Sequence, residues 1–363
     1  MSNFDLSNLA LAAVCPSNEI RYDDKGMPSV MVKIPKQTYA QLGLGSSTAT
    51  HPAFIVNGQE VPFIYISKYQ NIIQNGRAYS LPGQDPANNL GFDAAVSACE
   101  AKGSGWHLMT NAEWAAIALW CRKNGTMPKG NNNYGKDVDE GNYKAIPTYQ
   151  DGAAGTGRVA TGTGPLTWSH DGTPSGIWDL NGNVWEWVGG YRTVDGEIQV
   201  IPNNDAAAGI SQSASSTLWK AILQDGSPAA PGTANTLKWD YTADPGTTDT
   251  GGKVFRLNTT VQYKQTVEAP YGAEPIENMA AASGVTVPDL LKALALYPLD
   301  ATANSHGGDY FWMRNLGERL AFRGGNWGGG SGAGVFALRG DDPRSHAWPD
   351  VGFRSAFVQL PTA

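Results

Sequence analysis

Over residues 129–170, and again over 193–252, the chain shows almost no apolar periodicity. Asn, Gly, Thr and Asp dominate the first stretch, and Ala, Asn, Ser, Gly and Pro the second. Segments of that composition run as loops, and loops this long either carry function or form an inserted subdomain. Regular structure is left to a few short segments. The clearest is Thr110-Asn111-Ala112-Glu113, a capping box in which the threonine hydroxyl takes the third helical N–H and the glutamate reaches back to the cap. It predicts a helix with Trp114, Ile117, Ala118 and Cys121 as its buried stripe, ending at Gly125. A second helix is predicted over 92–102, with Ala95, Val96 and Cys99 on one face and Gly103 as its stop. A third is predicted over 286–297, with Pro288 near its first turn and Leu290, Leu291 and Leu294 as its apolar face. Val30, Val32 and Ile34 alternate as a strand, and Val61 to Ile66 forms a second. Residues 1–27 have little periodicity and are expected to be an N-terminal arm.

Composition narrows the class. With 41% hydrophobic and only 16% charged residues, 44 glycines, 22 prolines and 12 tryptophans, the chain is expected to be globular and loop-rich, held by aromatic anchors. A net charge of -7 with no clustered Lys and Arg excludes an electrostatic nucleic-acid footprint. Cys15, Cys99 and Cys121 fit neither a disulfide framework nor a CxxC metal site, so they are expected to be buried thiols. The start, MSNFDLSNLALAAVC, lacks the basic n-region of a lipoprotein signal, carries Asp5 and has Val14 where a small residue should precede the cysteine. No run reaches the roughly 18 apolar residues of a membrane helix, and the chain is expected to be soluble without membrane insertion.

Four segments in order carry a family resemblance: "VMVKIP" (30–35), "GWHLMTNAEWAAIA" (105–118), "GIWDLNGNVWEWV" (176–188) and "FRGGNW…GFRSA" (322–356). Together they resemble the formylglycine-generating enzyme or sulfatase-modifying family. The resemblance implies an α+β, C-type-lectin-like fold of the formylglycine-generating enzyme type: short antiparallel strands, two main helices, long loops and an insertion. On that basis residues 28–363 form the lectin-like domain, with an inserted loop-rich region at about 193–315 and a variable region at about 314–357.

The chemistry of that family is missing from the residues. Its formylglycine-generating members use a cysteine pair between the RGG and GFR elements, and this chain has no cysteine after Cys121. Iron oxygenases on the same fold need three histidines, whereas His51, His107, His170, His306 and His346 are isolated. Ser169-His170-Asp171 are sequence neighbours, which cannot form the spatial relay of a triad. "GGGSGAG" has no following Lys-Ser/Thr, and Gly340-Asp341-Asp342 has no third ligand and is expected as a solvated loop. A non-enzymatic role is expected, with no cofactor required.

One subset of the family fits better. The chain resembles the variable proteins of diversity-generating retroelements, of the major-tropism-determinant type, in its RGG…W opening and C-terminal GFR. In such proteins adenine changes convert template Asn codons into Gly, Asp, Arg, His or Pro, but never Trp. Gly328, Gly329, Gly332, Arg339, Asp341, Asp342, His346, Pro349 and Asp350 are all reachable from Asn. Trp327, Val335, Phe336, Leu338, Trp348, Phe353 and Arg354 are residues one would keep as scaffold. Alternation puts Phe336 and Leu338 on one side of a strand and Arg339 on the other, where it can meet a partner. Arg339, His346 and Trp348 are therefore the candidate anchors.

In the WEW motif, one of Trp185 and Trp187 is expected in the core and the other beneath the binding face. Related enzymes bind calcium here. By position Asp179 and Glu186 would supply carboxylates, and the carbonyls of Gly182 and Val184 would complete an oxygen cage for a structural Ca²⁺. The expected partner is a protein or glycan on a cell surface, bound by a homo-oligomer, a trimer for instance. The expected location is a phage tail-fibre tip, with a bacterial surface as the other setting. An enzyme of the formylglycine-generating family with lost or unrecognised activity, and a lectin of fixed specificity, are the alternatives.

Overall fold

The computed structural model describes residues 5–142 and 145–360. It is an α+β molecule built on two sheets. The smaller has five strands in the order Asn18–Tyr22, Pro28–Pro35, Phe63–Ser67, Ser355–Phe357 and Trp106–Leu108. The larger runs Gly272–Pro275, Tyr310–Met313, Gly334–Asp342, Glu318–Gly324, Trp185–Val194, Glu197–Val200, Lys238–Tyr241, Phe255–Asn258 and Ala280–Ala281, with three short strands attached at its sides. One of these, Val351–Phe353, lies parallel to Trp185–Trp187. Two residues later the chain enters the smaller sheet, where Ala356 pairs with Ile66 on one side and His107 on the other. The seven residues Val351–Phe357 thus join both sheets.

The capping-box helix is Asn111–Asn124. The Thr110 hydroxyl accepts from the Glu113 N–H at 3.1 Å, and the Glu113 carboxylate accepts from the Thr110 N–H at 3.0 Å. The carboxylate also holds His107 Nε2 at 2.9 Å and Asn204 Nδ2 at 3.0 Å, so one cap organises three segments. Gly125 ends the helix at φ 68°, the left-handed turn that an α-helix uses to stop. The second helix is Phe92–Glu100.

Three expectations are corrected. The 286–297 helix is only Asp289–Ala293, because Leu294 leaves helical geometry and Ala295 takes φ 48°. The N-terminal arm has structure: Leu6–Val14 is a helix capped by Asp5, followed by the strand Asn18–Tyr22. The polar stretch after residue 193 supplies strands to the larger sheet, with Ile198, Trp239, Tyr241 and Phe255 in the main core. Strands of two to four residues are too short for a period of two to register in sequence.

Glu274 lies in one of these strands, 8% exposed, with a backbone N–H of Phe255 at 3.4 Å. Burial pushes its carboxyl pKa up to about 7. The native state therefore holds a proton that the unfolded chain releases near its ordinary value, so stability falls as pH rises from about 4.5 to about 7. Glu274→Gln is expected to gain about 1–2 kcal/mol at pH 8 and almost nothing at pH 4.5. Thermal melts of both proteins across that range check the sign.

Candidate functional site

The C-terminal segment forms a frame and a face. Glu318–Gly324 and Gly334–Asp342 pair antiparallel, with Phe322 opposite Arg339 and Leu320 opposite Asp342, and a bulge separates the two pairs. Tyr310–Met313 pairs parallel on the far side, placing Trp312 beside Arg339. Phe336 and Leu338 enter the main core, while Ala337 on the opposite face packs with Trp187 and Phe322. Arg339 and Asp341 continue that second face outward.

There they line an open cavity of about 330 Å³ with Trp185, Trp312, Tyr271, Arg314, Asn326, Asp249 and Gly329. The tryptophans meet edge to face at 5.6 Å, and Tyr310 packs on Trp312 at 5.5 Å. Trp185 is thus the member of the WEW pair that supports the face, while Trp187 is fully buried against Phe92 and Phe322. Trp312, Tyr271, Arg314 and Asp249 were not legible as site residues, since each comes from outside the RGG-to-GFR segment. The short alternation in Tyr310-Phe311-Trp312-Met313 was the one available signal.

The paired aspartates are not a solvated loop. Asp341 and Asp342 end a strand and are 2% and 6% exposed. Arg314 donates to the Asp341 carbonyl at 3.0 Å and to its carboxylate at 3.1 Å. Arg339 Nε donates to Asp341 Oδ1 at 3.1 Å and lies 2.9 Å from Asp342 Oδ2. His346 Nδ1 faces Asp342 Oδ1 at 3.0 Å. Burial pushes the Asp341 carboxyl up, with Arg339 opposing it. Burial also acts on Asp342, but the His346 hydrogen bond and the Arg339 charge outweigh it and hold the carboxyl below its ordinary value. Arg339 is raised because the same two carboxylates outweigh its burial.

The remaining expected positions divide. Trp348, assigned above both to scaffold and to anchor, is 57% exposed and stacks on the His346 ring at 5.0 Å. Pro349 and Gly328 are open, and a Cβ on Gly328 would meet the Tyr134 hydroxyl at 3.2 Å and Asn326 Oδ1 at 3.9 Å. Gly329 and Gly332 have neighbours: added Cβ atoms would lie 2.9 Å from the Ala333 Cβ and 3.2 Å from the Tyr310 ring. Asp350 is buried and takes Asn326 Nδ2 at 2.6 Å.

The atoms proposed for calcium do converge, but on a side-chain amide. Gln70 Nε2 donates to the carbonyls of Asp179, Gly182 and Val184 at 3.2, 3.4 and 3.0 Å, and lies 3.0 Å from Glu186 Oε1. The amide orientation follows from the backbone. Asn183 Oδ1 accepts the Val159 N–H at 2.8 Å, so Asn183 Nδ2 must donate to Gln70 Oε1, leaving Nε2 for the oxygens. Glu186 is also forked by the Arg354 guanidinium, with both contacts at 2.6 Å. The Asp179 carboxyl turns away to the Gly162 N–H at 2.8 Å, and burial pushes its pKa up to about 6. A cation here would face N–H donors and a guanidinium, so these residues do not fit a calcium cage.

The other candidates are structural. Among the described residues no group of three His, Cys, Asp or Glu is placed to hold a metal. Ser169 donates to Asp171 at 3.0 Å while His170 Nδ1 accepts the Ile177 N–H at 2.8 Å, so the three form no relay. The three cysteines are free and buried.

No family model matches the sequence, and no curated protein matches it. Among solved structures the chain is similar to PvdO from Pseudomonas aeruginosa, at 13% identity over 93% of this chain and 97% of that one, with a TM-score of 0.35. It is similar to Treponema denticola variable protein 1, at 14% identity over 94% and 99%, TM-score 0.34. A Major Tropism Determinant U1 variant matches at 13% identity over 94% of this chain and 71% of that one, TM-score 0.30.

Gln70→Ala would orphan three buried carbonyls and is expected to cost about 2–4 kcal/mol. In the wild-type protein neither a chelator nor added CaCl₂ is expected to move the melting temperature, which differential scanning calorimetry reads directly.

Proposed function

We propose that the protein is a non-enzymatic binding protein of the C-type-lectin-like, formylglycine-generating-enzyme type, and that its C-terminal face, diversified by a retroelement, recognises a protein or glycan on a cell surface. The observation that carries this reading is the division of one segment into two populations. Phe322, Arg323, Val335, Phe336, Leu338, Phe353 and Arg354 are essentially inaccessible, while Gly328, Ser331, Ala347, Trp348 and Pro349 lie open between them. The frame can stay constant as the open positions change. A phage tail-fibre tip is the setting the reading favours. There a trimer would raise avidity by linking sites that need not bind tightly one by one.

The division also limits the variable set. Asp341, Asp342 and Asp350 hold Arg314, Arg339, His346 and Asn326 in place. Changing one of them would leave its partner underneath the face without a counter-group. Diversity is expected to concentrate at Gly328, His346 and Pro349, with Trp348 as a fixed aromatic among them.

The decisive test is genomic. A near-copy of the DNA for residues 314–357 is expected beside a reverse-transcriptase gene, with Asn codons at the varied positions. Glycine codons GGC or GGT at Gly328 and Gly329, CGC or CGT at Arg339 and CCC or CCT at Pro349 would follow from adenine changes. Absence of such a copy, together with GGA or GGG at both glycines, sinks the reading. On the protein, Trp348→Ala is expected to weaken capture on target cells by about 2 kcal/mol, the loss of an aromatic anchor. Its stability should change by no more than about 0.5 kcal/mol, as for an exposed position.

A further inference from the structure

A cavity of about 540 Å³ has no residue of the C-terminal segment in its walls. That volume lies within the ordinary range for small-molecule sites. Its body is apolar, formed by Ile55, Ile201, Ile222 and Leu294. Its rim is not. The turn at Asp225-Gly226 abuts the entry to the short helix Asp289–Ala293: a Cβ on Gly226 would lie 3.3 Å from the Pro288 Cβ and 3.6 Å from the Leu290 Cβ. Thr286 N–H donates to Gln224 Oε1 at 2.9 Å across the same junction. Two acidic residues from separate elements, Asp225 and Asp289, therefore come together at this junction, and both line the cavity.

Neither carboxylate has a strong cationic partner. Asp225 Oδ1 is used by its own turn, taking the Ser227 N–H at 2.9 Å and hydroxyl at 2.6 Å. Asp289 has Lys292 at 3.7 Å, a pairing between an 80% exposed carboxylate and a flexible amine. Such a pair is worth little in water. Tyr39 completes the rim. Burial, with the Asp289 charge second, pushes its phenol pKa up. An apolar chamber closed by two carboxylates and an aromatic face complements a particular chemistry. Hydrocarbon fills the chamber, and a positive head satisfies both the charges and the ring quadrupole.

We propose that this cavity binds an organic cation, an amine on an alkyl body, with the body between Ile201, Ile222 and Leu294 and the ammonium against Asp225, Asp289 and Tyr39. The site is independent of the C-terminal face and stands whether or not that face is variable.

Titration calorimetry of the full chain at pH 7 and low salt tests it with three probes of one length: octylamine, octanol and octanoate. Octylamine is expected to bind at least about tenfold more tightly than octanoate, with octanol between them. The double substitution Asp225→Asn/Asp289→Asn is expected to weaken octylamine by about fivefold or more and leave octanol unchanged. Ala49→Trp, at an exposed position on the rim, is expected to block all three. Thermal melts confirm that each variant is folded. Equal affinity for octylamine and octanoate, no binding of octylamine, or octylamine binding that survives the double substitution unchanged would overturn the proposal.

Discussion

Everything in the C-terminal half hangs on one buried ion pair. Arg354 is fully inaccessible, and its guanidinium forks onto both oxygens of Glu186. Two further N–H groups go to the carbonyls of Ser67 at 2.9 Å and Trp178 at 3.0 Å. A buried charge pair is tolerable only when every donor and acceptor is used, and here each partner sits on a different part of the fold. Glu186 belongs to the larger sheet, Ser67 to the smaller, and Trp178 to the loop between. Geometry at the junction of the two sheets is therefore set by a planar fork, which lysine could not reproduce.

Gln70 extends the same arrangement. Its amide gathers the carbonyls of the 179–184 loop, which turns through left-handed conformations at Asp179, Gly182 and Asn183. A loop bent this sharply points several carbonyls inward at once. That concentration of negative dipoles needs a positive end of some kind at its centre. In this chain the positive end is covalent, a side chain with two N–H groups rather than an ion drawn from solution. The same loop leads into Trp185, which lines the 330 Å³ cavity.

What was legible in the sequence follows from range. The capping box at Thr110 and Glu113 is local, three residues apart, and it is found where it was expected. The WEW and GFR elements are compact strings, and they lie side by side, with Trp185–Trp187 parallel to Val351–Phe353. The partners of Arg354 and Gln70 are 109 to 287 residues away, and nothing in a single sequence marks a glutamine as the centre of a cage. The aspartates at 341 and 342 misled for a related reason. A carboxylate pair reads as solvent-facing until one knows that Arg314, Arg339 and His346 converge on it. Short strands after residue 193 were invisible because two to four residues show no period.

The final strand, Ser355–Phe357, lies between Phe63–Ser67 and Trp106–Leu108, a central place in a sheet whose other strands are all made from the first 108 residues. During synthesis that sheet must wait with a slot open until residues 355–357 have left the ribosome. A copy cut short by a stop codon or a shifted frame anywhere in the segment before it lacks both this strand and Arg354. Such a copy cannot close its core. The fold thus acts as its own proofreader: only chains that reach Phe357 can complete both sheets.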